Sequence, residues 1–291
     1  VSISESPSWM LEGSPFEPSR HPHISHIIQN VFGYDGHPLN IEVKSELFSA
    51  AGMGSSAALS NAFGAALHAF LDPSEPLVPI ELAKMAHSAE ATAQKGRASP
   101  TDTATSALGG FVVVSGGRVE GTRHVFDTSL VTPEGKRDWS VNAVDVPESI
   151  GDAWLVLGFT GEGSPTGRMV AKVAKLVSSV PERMMDLEAI ANITNAGLTA
   201  LSAGNLEALG IAMDACHERL RSLEVSNHKL ERLVEASRPH SLGAKLTGAG
   251  GGGCMVALTD NPSRVSEAIE DAGGKPLASK LGASGVTITD E

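Results

Sequence analysis

An α+β fold is predicted for this chain on three observations. Residues 39–46 alternate apolar and polar side chains, as a half-buried strand does. The second half reads strand, helices, strand, strand, helix, strand, which is not the regular strand–helix alternation of a doubly wound sheet. Two glycine-rich runs, around Gly52–Gly54 and Gly248–Gly253, interrupt the apolar pattern where one element ends and the next begins.

The elements follow in order. After the 39–46 strand, the loop Phe48–Ala57 runs into a small-residue helix over about 55–71, with Ala58, Ala62, Ala65, Ala66 and Phe70 among its apolar positions. Pro79 is placed to open a second helix reaching about Gln94, because a first-turn proline forfeits no helical hydrogen bond. A polar loop, Lys95–Thr103, follows, and then 109–114 and 118–126 read as a hairpin across Ser115–Gly117. A domain boundary is expected near residue 150, giving domains 1–150 and 151–291. Beyond it, 153–159 is a buried strand, and helices are expected over about 167–180, 181–203, 205–221 and 228–238. Strands 243–247 and 254–259 flank the second glycine run, and a helix at 262–272 and strands at 275–280 and 285–289 close the chain.

Composition narrows the function classes. The 291 residues are 41% hydrophobic and 19% charged, a globular balance, and the aromatic share of 4% leaves the core to aliphatic side chains. A net charge of −12 argues against nucleic acid as the main partner, and it means that an anionic ligand needs a local positive device. Cys216 and Cys254 lie far apart in apolar contexts, which suits a reducing, cytoplasmic compartment better than a disulfide framework. No apolar run is long enough to span a bilayer, and no secretory leader opens the chain, so no membrane partner is expected. Val1 reads as an internal position of a longer sequence.

Three loops carry candidate chemistry. In Ala51-Gly52-Met53-Gly54-Ser55-Ser56-Ala57, glycines allow a ligand close to the backbone, and the helix start offers free N–H groups and a positive dipole. Ser55 or Ser56 is either a ligand for phosphate-bound Mg²⁺ or an ordinary helix cap. The run lacks the lysine of a Walker A loop and the third glycine of a dinucleotide fingerprint. In Lys245 to Gly253, five glycines in six positions imply close backbone approach, either to a ligand or to another chain segment, with Lys245 and Thr247 at the mouth. In Gly96 to Thr103, Asp102 is either a turn or cap residue or a carboxylate that takes or orients a hydroxyl proton. Arg97 suits an anionic group or a surface acid, Glu90 a metal or a solvated helix face, and His87 a surface or core position.

Together these loops resemble the motifs of the GHMP kinases. The family's second motif, a Pro-led Gly-Leu-Gly-Ser-Ser-Ala loop, stands here as Ser49 to Ala57, and its third motif is matched without change from Lys245 to Gly253. Arg97-Ala98-Ser99-Pro100-Thr101-Asp102-Thr103 resembles the archaeal-type mevalonate kinases, as do Cys216 to Leu220, Leu223 to Ser226 and Ser164 to Gly167. The family's opening Lys-x-x-Leu-x-Gly-Glu-His motif has no match.

The resemblance implies an N-terminal part like ribosomal protein S5 domain 2 and a ferredoxin-like C-terminal part. It implies ATP phosphates on 51–57, Mg²⁺ held by Ser56 and Glu90, and Asp102 facing the primary hydroxyl of mevalonate. It also implies Thr101 and Thr166 near substrate and a brace formed by Lys245, Thr247, Gly248, Ala249, Gly250 and Gly251; apart from the resemblance, a homodimer is one expected assembly. Another GHMP kinase, acting on phosphomevalonate, a sugar or homoserine, and a nucleotide-binding protein without turnover are the rival readings.

Overall fold

The computed structural model describes residues 1–48, 53–133 and 135–289. They form two compact units. One holds Val1–Leu47, Gly54–Val144 and the tail from Ala283; the other holds Phe48, Met53 and Asp145–Gly282.

The first unit opens with three short strands, β1 (Ser2–Glu5), β2 (Met10–Leu11) and β3 (Ser14–Pro15). Helix α1 (Pro22–His26) runs on into one π-helical turn, Ile27–Val31. β4 (Leu39–Glu42) lies inside a sheet of order β1-β4-β2-β3, antiparallel to β1 and parallel to β2. It is shorter than the alternation over 39–46 suggests, because its ladder with β1 ends where Ser2 meets Glu42. Its inward residues Leu39 and Ile41 are fully enclosed with Ile24, Ile27, Phe63 and Leu67. Burying one such side chain contributes roughly 1.5–3 kcal/mol.

Three helices follow: α2 (Ser55–Leu71), α3 (Pro79–Ala93) and α4 (Thr101–Leu108). Gly64 lets α3 approach α2, since a Cβ there would fall 2.0 Å from Met85 Cε. α4 occupies what the sequence suggests is loop. Pro100 at its N-cap and Thr103, which donates to the Pro100 carbonyl at 3.1 Å, start a helix that polar residues alone do not advertise.

The strands β5 (Val112–Ser115), β6 (Arg123–Thr132) and β7 (Gly135–Ala143) form an antiparallel sheet of order β5-β7-β6. The hairpin expected across Ser115–Gly117 is therefore replaced by one in which Thr132 faces Gly135, while β5 pairs with the far half of β7, Ser115 opposite Ser140. Charges at Lys136, Arg137 and Asp138 hide β7 in the sequence, yet Val141 and Phe126 close a small core over Ala83, Ala104 and Ala107. The strand expected at 285–289 is not formed. The tail is held instead by the isolated Gly109–Ser284 bridge and by Val286 N–H donating to the Ala107 carbonyl.

The second unit contains β8 (Trp154–Phe159), α5 (Thr166–Ser179), α6 (Met184–Ser202), α7 (Leu206–Ser222), α8 (His228–Ser237), β9 (Gly243–Leu246), β10 (Cys254–Thr259), α9 (Pro262–Asp271) and β11 (Lys275–Lys280). The sheet is antiparallel throughout, of order β11-β8-β10-β9. That is the ferredoxin-like order, with four helices between the first two strands. Asn205, Asn227 and Asn261 cap α7, α8 and α9 through side-chain oxygens that accept first-turn N–H groups, which explains why these helix starts are well placed by sequence. Among the described residues no helix is long and apolar enough to cross a membrane.

Candidate active site

The start of α2 is built without a side-chain cap. Gly54 takes the N-cap position in the left-handed region at φ 67°, and neither serine closes a capping hydrogen bond. The first-turn N–H groups therefore remain available, and no acidic residue stands in that turn to oppose an anion. Of the predicted phosphate loop, Gly54, Ser55, Ser56 and Ala57 belong to the first unit, Met53 is grouped with the second, and Ala51 and Gly52 lie outside the described residues.

Ser56 stands close enough to Glu90 of α3 to favour its charged form. The Glu90 side chain is only 6% exposed, which removes the solvated-face reading. Its Oε2 accepts from Gln94 Nε2, and His23 Nε2 of α1 lies 3.3 Å from Oε1. Burial alone would push this carboxyl up, but the His23, Ser56 and Gln94 contacts hold it below the usual carboxylate value. Oε1 nevertheless has no well-aligned hydrogen bond although it is enclosed.

Asp102 stands in the first turn of α4, directly against Gly54. Burial raises its carboxyl above the ordinary value, and the negative Glu90 raises it further. It keeps solvent access on one side, as an acid that must meet a substrate requires. Two devices hold α4 there. Asn61 of α2, 1% exposed, donates to the Thr103 carbonyl at 2.9 Å. His87, buried in α3 and lowered in pKa chiefly by that burial, contacts the Ala98 carbonyl at 3.2 Å and Trp139 edge-on. Thr101 is exposed and pairs with the Ser99 hydroxyl at 2.8 Å.

The hydroxyl of Ser56, the enclosed Glu90 carboxylate with its unsatisfied Oε1, and a second acid nearby suit a small hard cation. Among the described residues no three His, Cys, Asp or Glu side chains form a metal cage, so such an ion would depend on phosphate oxygens and water for its remaining ligands.

The glycine turn of the second unit is shaped by its own chain. A Cβ on Gly250 would fall 2.1 Å from the Val225 carbonyl oxygen, one on Gly251 2.8 Å from Ser164 Oγ, and one on Gly252 2.9 Å from the Glu162 carbonyl oxygen. Gly251 N–H donates to the Val225 carbonyl at 2.6 Å, and Gly253 N–H to the Glu162 carbonyl at 2.6 Å. Of the two readings of these glycines, close packing on another segment holds for all three. Gly248 is exposed with φ 71°, and Ala249 packs at the edge of the second unit's core. Lys245 donates to the Leu246 carbonyl at 2.7 Å, and burial lowers its pKa. Thr247 N–H bonds the Cys254 carbonyl, and Thr166 is exposed at the first position of α5. Both cysteines are free, and burial pushes the Cys254 thiol up to about 11.

The family model for the GHMP kinases N terminal domain matches residues 23–110, and that for the GHMP kinases C terminal matches residues 198–276. The chain is 33% identical over 260 residues to the mevalonate kinase of Pyrococcus furiosus, covering 87% of this chain and 69% of that protein. It is 34% identical to the mevalonate kinase of Thermococcus sibiricus with the same coverage. The chain belongs to the GHMP kinases. The fold of a GHMP kinase is also seen in its structural neighbours. A mevalonate kinase from L. major solved with R-mevalonate superposes with TM-score 0.75 at 23% identity, covering 97% of this chain and 86% of that one. A Streptococcus pneumoniae phosphomevalonate kinase gives 0.70 at 17%, covering 96% and 88%.

Sequence reading of this kinase missed His23, Gln94 and Asn61. Gln94 was findable as the i+4 neighbour of Glu90 on a helix, and Asn61 as the lone amide in a run of small and apolar residues. Nothing in the sequence signals that His23 meets Glu90, because 67 residues separate them.

Proposed function

We propose that this chain transfers the γ-phosphoryl group of ATP to the primary hydroxyl of mevalonate. The observation that carries the reading is the placement of Asp102 against Gly54 at the uncapped head of α2, beside the Ser56–Glu90 pair. That the Pyrococcus furiosus and Thermococcus sibiricus relatives are mevalonate kinases supports the choice of acceptor.

In this reading the α2 N–H groups receive the nucleotide phosphates, and the loop Ala51 to Ala57 lets them approach. Ser56 and Glu90 hold Mg²⁺, which supplies positive charge against the phosphate oxygens. Asp102 accepts or orients the proton of the attacking hydroxyl. Its raised pKa makes it a stronger base than a free aspartate. Thr101 and Thr166 as substrate contacts, and Lys245, Thr247, Gly248, Ala249, Gly250 and Gly251 as a brace, enter through their motif match alone. A cytoplasmic enzyme without nucleic-acid or membrane partners fits the acidic composition.

An ADP-release assay over mevalonate, phosphomevalonate, homoserine and galactose tests the proposal. The expected result is a preference for mevalonate of at least about tenfold in kcat/KM. Equal rates on all four acceptors would refute the substrate assignment, and ATP binding without transfer to any of them would favour a nucleotide-binding protein.

A further inference from the structure

The inference concerns a residue outside the family motifs and rests on the reading of Ser56 and Glu90 as Mg²⁺ ligands. We propose that His23 and Gln94 form a clamp that fixes the Glu90 carboxylate for the metal, with His23 as a positioning residue.

A carboxylate that must meet a cation has to be prevented from turning about its last bond. Glu90 is flanked on both oxygens: Gln94 Nε2 donates to Oε2, and His23 Nε2 stands 3.3 Å from Oε1. The two arms are unlike in origin. Gln94 follows Glu90 by four residues at the end of α3, so helix geometry alone brings it there. His23 comes from α1, and its position depends on how α1 is seated.

That seat is specific. His26, one turn after His23, contacts Ser88 Oγ at 3.1 Å through Nε2 and Thr92 Oγ1 at 3.0 Å through Nδ1. Two hydroxyls one turn apart on α3 thus take both ring nitrogens and fix α1 along α3. Ile24 and Ile27, both buried, prevent α1 from lifting, and Pro22 sets its first turn. The His23 ring is 21% exposed and Glu90 6%, so the pair lies at the inner edge of the site rather than on an open surface. The contact is long enough to leave Oε1 without an aligned hydrogen bond, so that oxygen keeps a lone pair for a cation while the ring limits its swing. Partners of this kind usually change metal affinity by about 10–100-fold when they are lost.

The test is Mn²⁺ binding to the ADP-saturated chain, followed by electron paramagnetic resonance, in parallel with ADP binding in EDTA. His23→Leu should weaken Mn²⁺ binding about tenfold or more and leave metal-free ADP affinity within about twofold. His23→Gln, which restores a polar group beside Oε1, should recover most of the loss. Glu90→Gln separates the two levels of the argument. If it leaves Mn²⁺ affinity unchanged, the assignment of the metal ligands fails and the clamp falls with it. If it abolishes binding while His23→Leu stays within about twofold of the parent, the clamp alone is refuted. Should His23→Leu fail to fold, Gln94→Leu at an exposed position decides: a loss of about tenfold supports the clamp, and unchanged affinity overturns it.

Discussion

Gly54 and Asp102 touch: a Cβ built on the glycine would lie 3.1 Å from both Cβ and Cγ of the aspartate. The helix that is to receive phosphate and the acid that is to meet the hydroxyl are thus spaced by the absence of one methyl group. Gly54→Ala would also place an L-residue at φ 67°, costing about 1–2 kcal/mol. A lower melting temperature and a fall in kcat of about 10–100-fold are expected, because small displacements of a reacting group are costly. Calorimetry and steady-state ADP release measure the two effects on one preparation.

Asp102→Asn should separate activity from stability in opposite directions. Turnover should drop by about 10²–10⁴-fold with nucleotide affinity retained. Stability at pH 7 should rise. The folded-state carboxyl is raised above its ordinary value of 3.8, so its charged form is disfavoured by folding, and the penalty is fully present above the folded pKa. As pH falls through that pKa the penalty disappears, so the variant's advantage in melting temperature should shrink and be gone once the pH is below 3.8. A variant less stable than its parent at pH 7 would contradict this reading.

Gly250→Ala should be among the most damaging single substitutions in the second unit. Its Cβ would meet the Val225 carbonyl oxygen at 2.1 Å, a backbone atom that cannot rotate aside, and φ is +80°. A loss of about 3 kcal/mol or more is expected, against about 1–2 kcal/mol for Gly248→Ala, where φ is 71° and the residue is exposed. Denaturant melts of the two variants rank them.

Lys95→Gly should stabilise the protein. Lys95 ends α3 in the left-handed region at φ 54°, and the next residue closes the helix through Gly96 N–H to the Ala91 carbonyl at 2.7 Å. This is the position where glycine is favoured. After the greater freedom of glycine in the unfolded chain is subtracted, a gain of about 0.5–1 kcal/mol is expected in chemical denaturation.

Elements whose signal is local were legible in the sequence. Helix 55–71 was placed to the residue, and α7 to α9 nearly so, because small-residue runs and asparagine caps act over a few positions. The strands at the start of the first unit and β7 were not, since their identity depends on partners elsewhere: β1 on β4, and β7 on both β5 and β6. The candidate site divides in the same way. Ser56 and Asp102 stand in motifs and Glu90 on the helix that leads into the Asp102 loop, whereas Asn61 and His23 matter only through side chains that meet across distant parts of the chain.

The Val225 carbonyl faces Gly250 and receives Gly251 N–H, one residue beyond the strained Glu224 that closes α7 at φ 57°. The span between α7 and α8 therefore acts as a template for a turn some 25 residues downstream. Adding one residue between Ser222 and Asn227 would move that carbonyl by up to about 3.8 Å and leave the glycines moulded to an absent surface. The length of an unremarkable connector is thus under the same constraint as the motif itself.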